Sequence, residues 1–264
     1  MEIIPSKDGT PIAYWHSGVG TPLLLVHGTV GDHLTWTPVL AALERHFSVY
    51  TMDRRGRGHS GDADAYGLER EWEDIAAVID AIGGAVDVVG HSFGGMCALE
   101  ATRLTANVRR LILYEPPMPF GQRYWPAKFS AHMHALLDAG EREQALLLFF
   151  RDMVKMPPHE ITAAQELPTW PARVAAVHTI PRELRSLDSY AFDPGRFGRM
   201  KTPTALFLGG ESSPAMRTIA EALHAALPNS QPVVLPGQQH VAMRTAPELF
   251  VQEVVKFFTG ATAR

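Results

Sequence analysis

Gly90-His91-Ser92-Phe93-Gly94 is the stretch around which the rest of the chain is organised. It follows the apolar run Val86-Asp87-Val88-Val89 and precedes a helical pattern that begins at Gly95. This order predicts a strand, a tight turn and a helix, with Ser92 at the apex of the turn. The flanking glycines let the backbone bend sharply. The amide of Phe93 and the positive end of the helix would then face any negative charge that forms at the serine.

The bulk composition indicates one large globular domain, or a domain with an insertion. The chain has 264 residues, of which 46% are hydrophobic and 20% are charged, so it can bury a sizeable core. Its net charge of -4 gives no electrostatic reason to expect nucleic acid or an anionic membrane as a partner. A signal-peptide pattern and an apolar run of ~18 residues are both missing from the sequence. The single Cys97 is expected to be a buried packing residue, and we expect a cytoplasmic protein.

Apolar runs alternate with amphipathic stretches along the first 117 residues. A hairpin over 2–4 and 12–15, turning at Asp8-Gly9, is followed by predicted strands at 23–26, 49–52, 86–89 and 110–114. Helices are predicted over 36–45 and 68–82, and after Ser92. Strands that alternate with helices imply right-handed crossovers and a mostly parallel sheet.

The alternation stops from about residue 118 to about residue 200. Helix-like sequence, divided by prolines, predicts helices over 128–137, 143–154, 158–165, 172–178 and 182–187. Alternation resumes with a strand at 204–208, a helix at 216–227, a strand at 232–235 and a helix at 247–258. We therefore expect a core formed by 1–117 and 201–264, with 118–200 as a separate helical unit.

The order of elements and the central pentapeptide resemble the α/β-hydrolase family along nearly the whole chain. Gly90 to Gly94 has the form of that family's G-x-S-x-G nucleophile elbow, and the segment 118–200 is similar to its cap. The resemblance implies an α/β-hydrolase fold, with a mostly parallel sheet flanked by helices and a helical cap inserted between two strands. It also implies a cofactor-free serine hydrolase whose ligand lies beyond the carboxyl ends of the strands.

The resemblance also assigns a general base and an oxyanion hole. His240 follows the last predicted strand, where the family carries its catalytic histidine, and would take the proton of Ser92 and return it to the leaving group. The two oxyanion donors would be the amides of Phe93 and Thr29, because the run after His27-Gly28 looks like the family's HG-x-x-G turn. His27 itself, like His91, is expected to be structural.

The acid is where the sequence departs from the family pattern. The family usually places an aspartate in a G-x-x-D turn after the strand that follows the cap, but Ser213 stands at that position and cannot hold a negative charge. Glu211, in the same turn, could substitute. Glu115 could also substitute, because it ends the strand after the nucleophile helix, where some dehalogenase-type relatives carry their acid. Both remain candidates, with a slight preference for Glu211.

Two further sequence features bear on ligands. The arginine-rich turn at 53–60 is expected to pair with carboxylates and brace its loop rather than to bind phosphate. Metal-ligand spacings, a P-loop and a dinucleotide fingerprint are all missing from the sequence, so we expect no metal and no cofactor.

These features predict a serine hydrolase that cleaves a small, mostly apolar carboxylic ester. Some of the apolar cap residues, among them Tyr124, Trp125, Phe149 and Phe150, are expected to line a pocket over Ser92, and the others to pack against the sheet. The cap sequence has no basic cluster that would select a polyanionic substrate. Alternatives are a ligand-binding or signalling protein with weak or no turnover, and a cofactor-free perhydrolase or haloperoxidase-type relative. The expected partner is a small-molecule substrate, not nucleic acid or a membrane, and a homo-oligomer stays open.

Overall fold

The computed structural model describes residues 1–120 and 127–260. In this part of the chain the strands are β1 (Glu2–Pro5), β2 (Pro11–Ser17), β3 (Thr21–Val26), β4 (Phe47–Met52), β5 (Val86–His91), β6 (Val108–Tyr114), β7 (Thr204–Gly209) and β8 (Ser230–Leu235). They form one sheet in the order β1-β2-β4-β3-β5-β6-β7-β8. β2 pairs antiparallel with β1 and β4, and all other pairings are parallel, which confirms the predicted hairpin and the mostly parallel sheet.

Helices cover both faces of this sheet. Those of the predicted core are α1 (Thr37–Leu43), α2 (Leu68–Ile82), α3 (Phe93–Ala101), α9 (Pro214–Ala226), α10 (Ala242–Thr245) and α11 (Pro247–Thr259). Alternate residues of β3 face opposite layers: Leu23 and Leu25 pack with α1 and α11, whereas Leu24 packs with α2 and α3. Burial on both faces explains why the central strands have unbroken apolar sequences.

The helices between β6 and β7 are α4 (Ala127–Asp138), α5 (Arg142–Leu148), α6 (Pro158–Gln165), α7 (Trp170–Ala175) and α8 (Ile180–Ser189). The described part of this segment contains no strand, in line with the sequence pattern. Met133 and Trp170 are buried in the same core layer as α2 and α3, so the segment packs against one side of the sheet. Tyr124 and Trp125 lie outside the described residues.

Several helix boundaries differ from the prediction for local reasons. The helix predicted from residue 36 is preceded by a 3₁₀ turn, His33–Trp36, because the Asp32 side chain accepts a hydrogen bond from the Leu34 amide. Instead of the single helix predicted over 143–154, α5 ends at Leu148 and a π-helical turn, Phe149–Met153, follows it. The short α10 was not predicted. None of the helices in the described chain combines the length and apolarity that a membrane span needs.

Candidate active site

Ser92 lies at the sharp turn between β5 and α3. Its φ of 53° and ψ of −129° are unfavourable for a residue with a side chain. The turn is held by very close backbone packing: a Cβ on Gly94 would lie 2.2 Å from the carbonyl oxygen of His27, and one on Gly90 would lie 2.6 Å from the Cα of Gly95. The glycines of the central pentapeptide are therefore required by the space available, and they fix the position of Ser92.

The loop after β3 lies directly against this turn. A Cβ on Gly28 would lie 2.9 Å from the Cβ of Ser92. The buried His27 ring holds the loop, because its Nδ1–H donates to the Gly28 carbonyl at 2.8 Å and its Nε2 accepts from the Arg54 amide at 3.1 Å. Burial lowers the pKa of His27 well below its ordinary value, so the ring is neutral. His27 thus has the structural role expected from the sequence.

Two backbone amides beside Ser92 have no acceptor. Within residues 1–120 and 127–260, the N–H groups of Phe93 and Thr29 donate no hydrogen bond. Phe93 is the first residue of α3, where amides lack partners within the helix. Thr29 and Phe93 both line a cavity that reaches Ser92. Both amides are therefore free to donate to an acceptor in that cavity.

His240, in the loop after β8, is hydrogen-bonded to Glu115, the residue that follows β6. Nδ1 of His240 lies 2.7 Å from Oε2 of Glu115. The other oxygen, Oε1, accepts from the Gly209 amide at 2.8 Å and from the Ser212 hydroxyl. Burial alone would raise the pKa of Glu115, but the hydrogen bonds from His240, Ser212 and Gly209 outweigh it, so the pKa lies below its ordinary value. Glu115 is therefore a buried carboxylate that fixes one nitrogen of the imidazole.

Glu211, the other candidate acid, is exposed on the turn after β7. It lines the same cavity as His240, but within the described residues its side chain makes no hydrogen bond or ion pair with that histidine. Its amide donates to the Gln238 carbonyl at 2.9 Å, which anchors the turn. The sequence-based preference for Glu211 as the acid does not match this geometry. The Gly209 amide and the Ser212 hydroxyl, at the end of β7 and in the turn after it, donate to Glu115 instead. Ser213, at the position of the family's aspartate, caps α9 by accepting from the Met216 amide.

The loop that carries His240 is held by two buried rings. His91 Nε2 donates to the His240 carbonyl at 2.7 Å. The Tyr114 hydroxyl donates to the Gln239 carbonyl and accepts from the Ala242 amide at 3.0 Å. Burial lowers the pKa of His91 well below its ordinary value, so this ring is neutral. These contacts agree with the structural role expected for His91. Tyr114 belongs to no sequence motif, so its role could not be predicted.

Backbone strain is concentrated around these residues. In the described chain, positive φ at non-glycine positions occurs at Val30, Ser92, Glu115 and Lys155. Val30 follows Thr29, and the other three line the cavities next to the serine. Such conformations cost of order 1–3 kcal/mol each and persist only where the surroundings hold them, which is typical of functional sites.

The arginine-rich turn after β4 braces the site from below. Arg54 pairs with Glu71 of α2 at 2.8 Å and with Glu183 of α8 at 2.7 Å, and its guanidinium lies 4.7 Å from the centre of the Phe93 ring. Arg57 pairs with Glu183 as well. The expectation that these arginines pair with carboxylates is confirmed, and Glu183 connects the helical segment to the core.

Two cavities meet at Ser92 and His240. We call them the arginine cavity and the glutamate cavity, with volumes of about 350 Å³ and 310 Å³. Both are lined by Thr29, Ser92, Phe149, Val154 and His240. The arginine cavity is also lined by Thr35, Phe150, Leu167, Arg173, Met243 and Arg244, and the glutamate cavity by Glu115, Met153, Lys155, Glu183, Leu187 and Met216.

One cluster has the composition of a metal site. Side-chain atoms of His33, Asp53 and His59 lie within 4.8 Å of one another. The Asp53 carboxylate, however, already accepts from the amides of His33 and His59, at 2.7 Å each. The His33 ring is stacked on Trp15. These contacts account for the cluster as a brace of the turn, and they give no support to a metal role.

Comparison with known proteins agrees with this geometry. The profile described as "Alpha/beta hydrolase family" matches residues 23–253. A solved α/β hydrolase from Sphaerobacter thermophilus is 37% identical, with a TM-score of 0.84 over 97% of this chain and 100% of that chain. An esterase from Rhodococcus sp. is 25% identical, with a TM-score of 0.80 over 99% and 100% of the two chains.

A shorter match is to N-formylmaleamate deformylase from Pseudomonas putida. It is 33% identical over 47% of this chain and 48% of that protein. The family profile spans most of the chain, including the turn at Ser92, Glu115 and the loop of His240. The chain therefore belongs to the alpha/beta hydrolase family.

Proposed function

We propose that the protein is a serine hydrolase that cleaves small, mostly apolar carboxylic esters through an acyl-enzyme on Ser92. The observation that carries the proposal is the hydrogen bond between the Glu115 carboxylate and Nδ1 of His240. His240 and Ser92 both line each of the two cavities. With Nδ1 occupied, Nε2 is the nitrogen left to act as a base. Glu115, rather than Glu211, is then the orienting acid.

The proposed reaction begins with proton transfer from the Ser92 hydroxyl to Nε2 of His240, while Oγ attacks the ester carbonyl. The negative charge on the carbonyl oxygen is stabilised by the free amides of Phe93 and Thr29, which would form the oxyanion hole. Collapse of the tetrahedral intermediate expels the alcohol, which takes the proton from His240. Water, deprotonated by His240, then attacks the acyl-enzyme and releases the carboxylic acid and Ser92.

The helical segment 118–200 would act as a cap over this reaction. Phe149 and Val154 line both cavities, so the cap supplies apolar walls next to Ser92. Glu183 of α8 forms an ion pair with the buried Arg54, which holds the cap against the core. An apolar cover excludes water from the ester and strengthens the electrostatic interactions beneath it.

The two cavities support a substrate with groups on both sides of the scissile bond. One cavity would hold the acyl group and the other the alcohol, because both open onto Ser92 and His240. The structural similarity to an esterase from Rhodococcus sp. supports ester hydrolysis in particular.

The proposal is tested with p-nitrophenyl esters of increasing acyl length and with a fluorophosphonate probe. We expect turnover of short and medium esters and one labelled serine. Ser92→Ala should abolish both, and His240→Ala should abolish nearly all turnover. Ser213→Ala is the matched control, because Ser213 also lines the glutamate cavity but should keep the label. If the wild-type protein shows neither turnover nor labelling, the proposal is wrong and a ligand-binding role gains support.

A further inference from the structure

The wall of the arginine cavity contains two arginines that come from distant parts of the chain. Arg173 lies on α7 in the helical segment, and Arg244 lies on α10, a few residues after His240. Among residues 1–120 and 127–260, the Arg173 guanidinium has no hydrogen bond and no ion pair. Arg244 has one carboxylate partner there, Glu160, at 3.4 Å. That distance is longer than the ~2.7–2.9 Å of a good charge-assisted hydrogen bond.

The two guanidinium groups lie in an unfavourable environment. Burial, and then the positive charge of Arg244, lower the pKa of Arg173 to about 10, while the charge of Asp32 offsets part of this. Burial also lowers the pKa of Arg244, and Glu160 offsets that effect in part. Both groups stay charged at neutral pH. Both side chains are half-buried, and a cation partly withdrawn from water is costly unless an anion accompanies it.

The buried arginines elsewhere in the site are different. Arg54 and Arg57 pair with Glu71 or Glu183 at close range, and Arg55 pairs with Asp74 at 2.7 Å. The fold therefore supplies carboxylates where an arginine has only a structural role. Among the described residues, no carboxylate forms an ion pair with Arg173 in the arginine cavity.

A second polar group in the same wall also lacks a partner. The hydroxyl of Thr35 is buried and makes no hydrogen bond within the described residues, although it lines the arginine cavity. A buried hydroxyl without a partner loses the hydrogen bonds that water would give it. Thr35 and Arg173 thus point independently to a polar ligand group in a cavity whose other walls are mainly apolar.

We propose that the natural substrate carries a carboxylate, which is held by Arg173 and Arg244 in the arginine cavity while the ester carbonyl lies at Ser92. This inference rests on the proposed function. Guanidinium groups match a carboxylate geometrically, because two parallel N–H groups can donate to its two oxygens. The expected class is a short ester with one anionic end, such as a half-ester of a dicarboxylic acid or an ester of a hydroxy acid.

The kinetic test compares esters of equal size and different charge. Monoethyl glutarate is paired with ethyl glutaramate, which places the carboxylate or the amide on the acyl side, and 4-acetoxybutanoate is paired with its amide for the alcohol side. We expect the wild-type protein to prefer the carboxylate by at least ~30-fold in kcat/KM in one of the two pairs, as two charge-assisted contacts allow.

The variants then locate the preference. In Arg173→Met and Arg244→Met the ratio should fall at least ~10-fold, and Arg173→Lys should keep an intermediate ratio because it retains the charge without the fork. Arg185→Met, an exposed arginine on α8, should keep the wild-type ratio. Turnover of the neutral esters with no preference in either pair would overturn the inference and leave the proposed function standing.

A binding test does not depend on turnover. We expect glutarate to bind Ser92→Ala in calorimetry, and to bind Ser92→Ala/Arg173→Met at least ~10-fold more weakly. If no ester is cleaved but this difference is found, the proposed function fails and the carboxylate site stands. Equal binding to the two variants, or no binding to either, would refute the carboxylate site.

Discussion

Oε2 of Glu115 lies 2.7 Å from Nδ1 of His240, although the two residues are 125 positions apart in the chain. β6 and β8 deliver them from opposite sides of β7, so the contact passes over the end of that strand. The end of β7 takes part in it, because the Gly209 amide and the Ser212 hydroxyl both donate to the same carboxylate.

Glu115→Gln should lower kcat at least ~100-fold, because a neutral amide no longer stabilises the imidazolium that forms during the reaction. Glu211→Gln is the control and should change kcat less than ~3-fold, since that side chain is exposed. The kcat values of both variants are measured from initial rates on a p-nitrophenyl ester. A large loss for Glu211→Gln with a mild effect of Glu115→Gln would show that the hydrogen bond seen here is not the productive one.

Ser212→Ala should lower kcat several-fold with little change in KM, because it removes one of the donors that hold the Glu115 carboxylate. The neighbouring Ser213→Ala should lower stability and leave kcat unchanged. It removes the cap of α9 and should cost ~0.5–1 kcal/mol of unfolding free energy while kcat stays the same. Steady-state kinetics and urea denaturation of both variants separate the two roles. Equal kcat in both would mean that the Ser212 hydroxyl does not position the acid.

Gly28→Ala should lower kcat at least ~10-fold, because the new Cβ would lie 2.9 Å from the Cβ of Ser92 and must displace the loop that carries the Thr29 amide. Gly198→Ala is the matched control, since the nearest atom to a Cβ there is 3.8 Å away. The comparison is made by kcat on one ester, with melting temperatures to check folding. A fully active Gly28→Ala would argue against an oxyanion donor in this loop.

The buried ion pairs predict a dependence of stability on pH. Burial would raise the pKa of Glu71, but the charges of Arg54 and Arg57 outweigh it, so the pKa lies below its ordinary value of 4.5. A lowered folded pKa contributes stability that is present above the unfolded value and is lost as the pH falls through the folded value. Glu71→Gln should therefore be destabilised by ~3–5 kcal/mol at pH 7.

The difference in unfolding free energy between wild type and Glu71→Gln should narrow as the pH falls below about 4.5. Denaturant unfolding at several pH values measures it. Glu69→Gln, an exposed glutamate on the same helix, should differ from wild type by less than ~0.5 kcal/mol throughout. If this difference in unfolding free energy stays constant on acidification, the pKa of Glu71 is not lowered by folding.

The fold, the turn at Ser92 and the loops of Thr29 and His240 could be predicted from the sequence because their signals are short-range. The strand, turn and helix around Ser92 are contiguous, and His240 and Thr29 each follow a predicted strand. Alternation of elements was enough to predict the mostly parallel sheet. These inferences need only the neighbours of each residue in the chain.

The acid and the cavity walls could not be predicted in the same way. Choosing between Glu115 and Glu211 depends on which carboxylate receives the donors at the end of β7, which is a three-dimensional property. Arg173 belongs to no motif, and its proposed role rests on the absence of a partner within the described chain. Glu183, which lies 129 residues from Arg54, illustrates the same limit for the buried ion pairs.

The position of Glu115 also bears on how such sites are recognised in other sequences. β6 and β7 run parallel and in register from Leu111 and Thr204, so their ends lie one strand spacing apart, ~4.8 Å. The Glu115 carboxylate reaches the imidazole from the end of β6, and the turn after β7 supplies hydrogen-bond donors to that carboxylate. A motif search that demands an aspartate after β7 would classify this chain as incomplete. A search for a carboxylate at either of the two neighbouring strand ends would recover it.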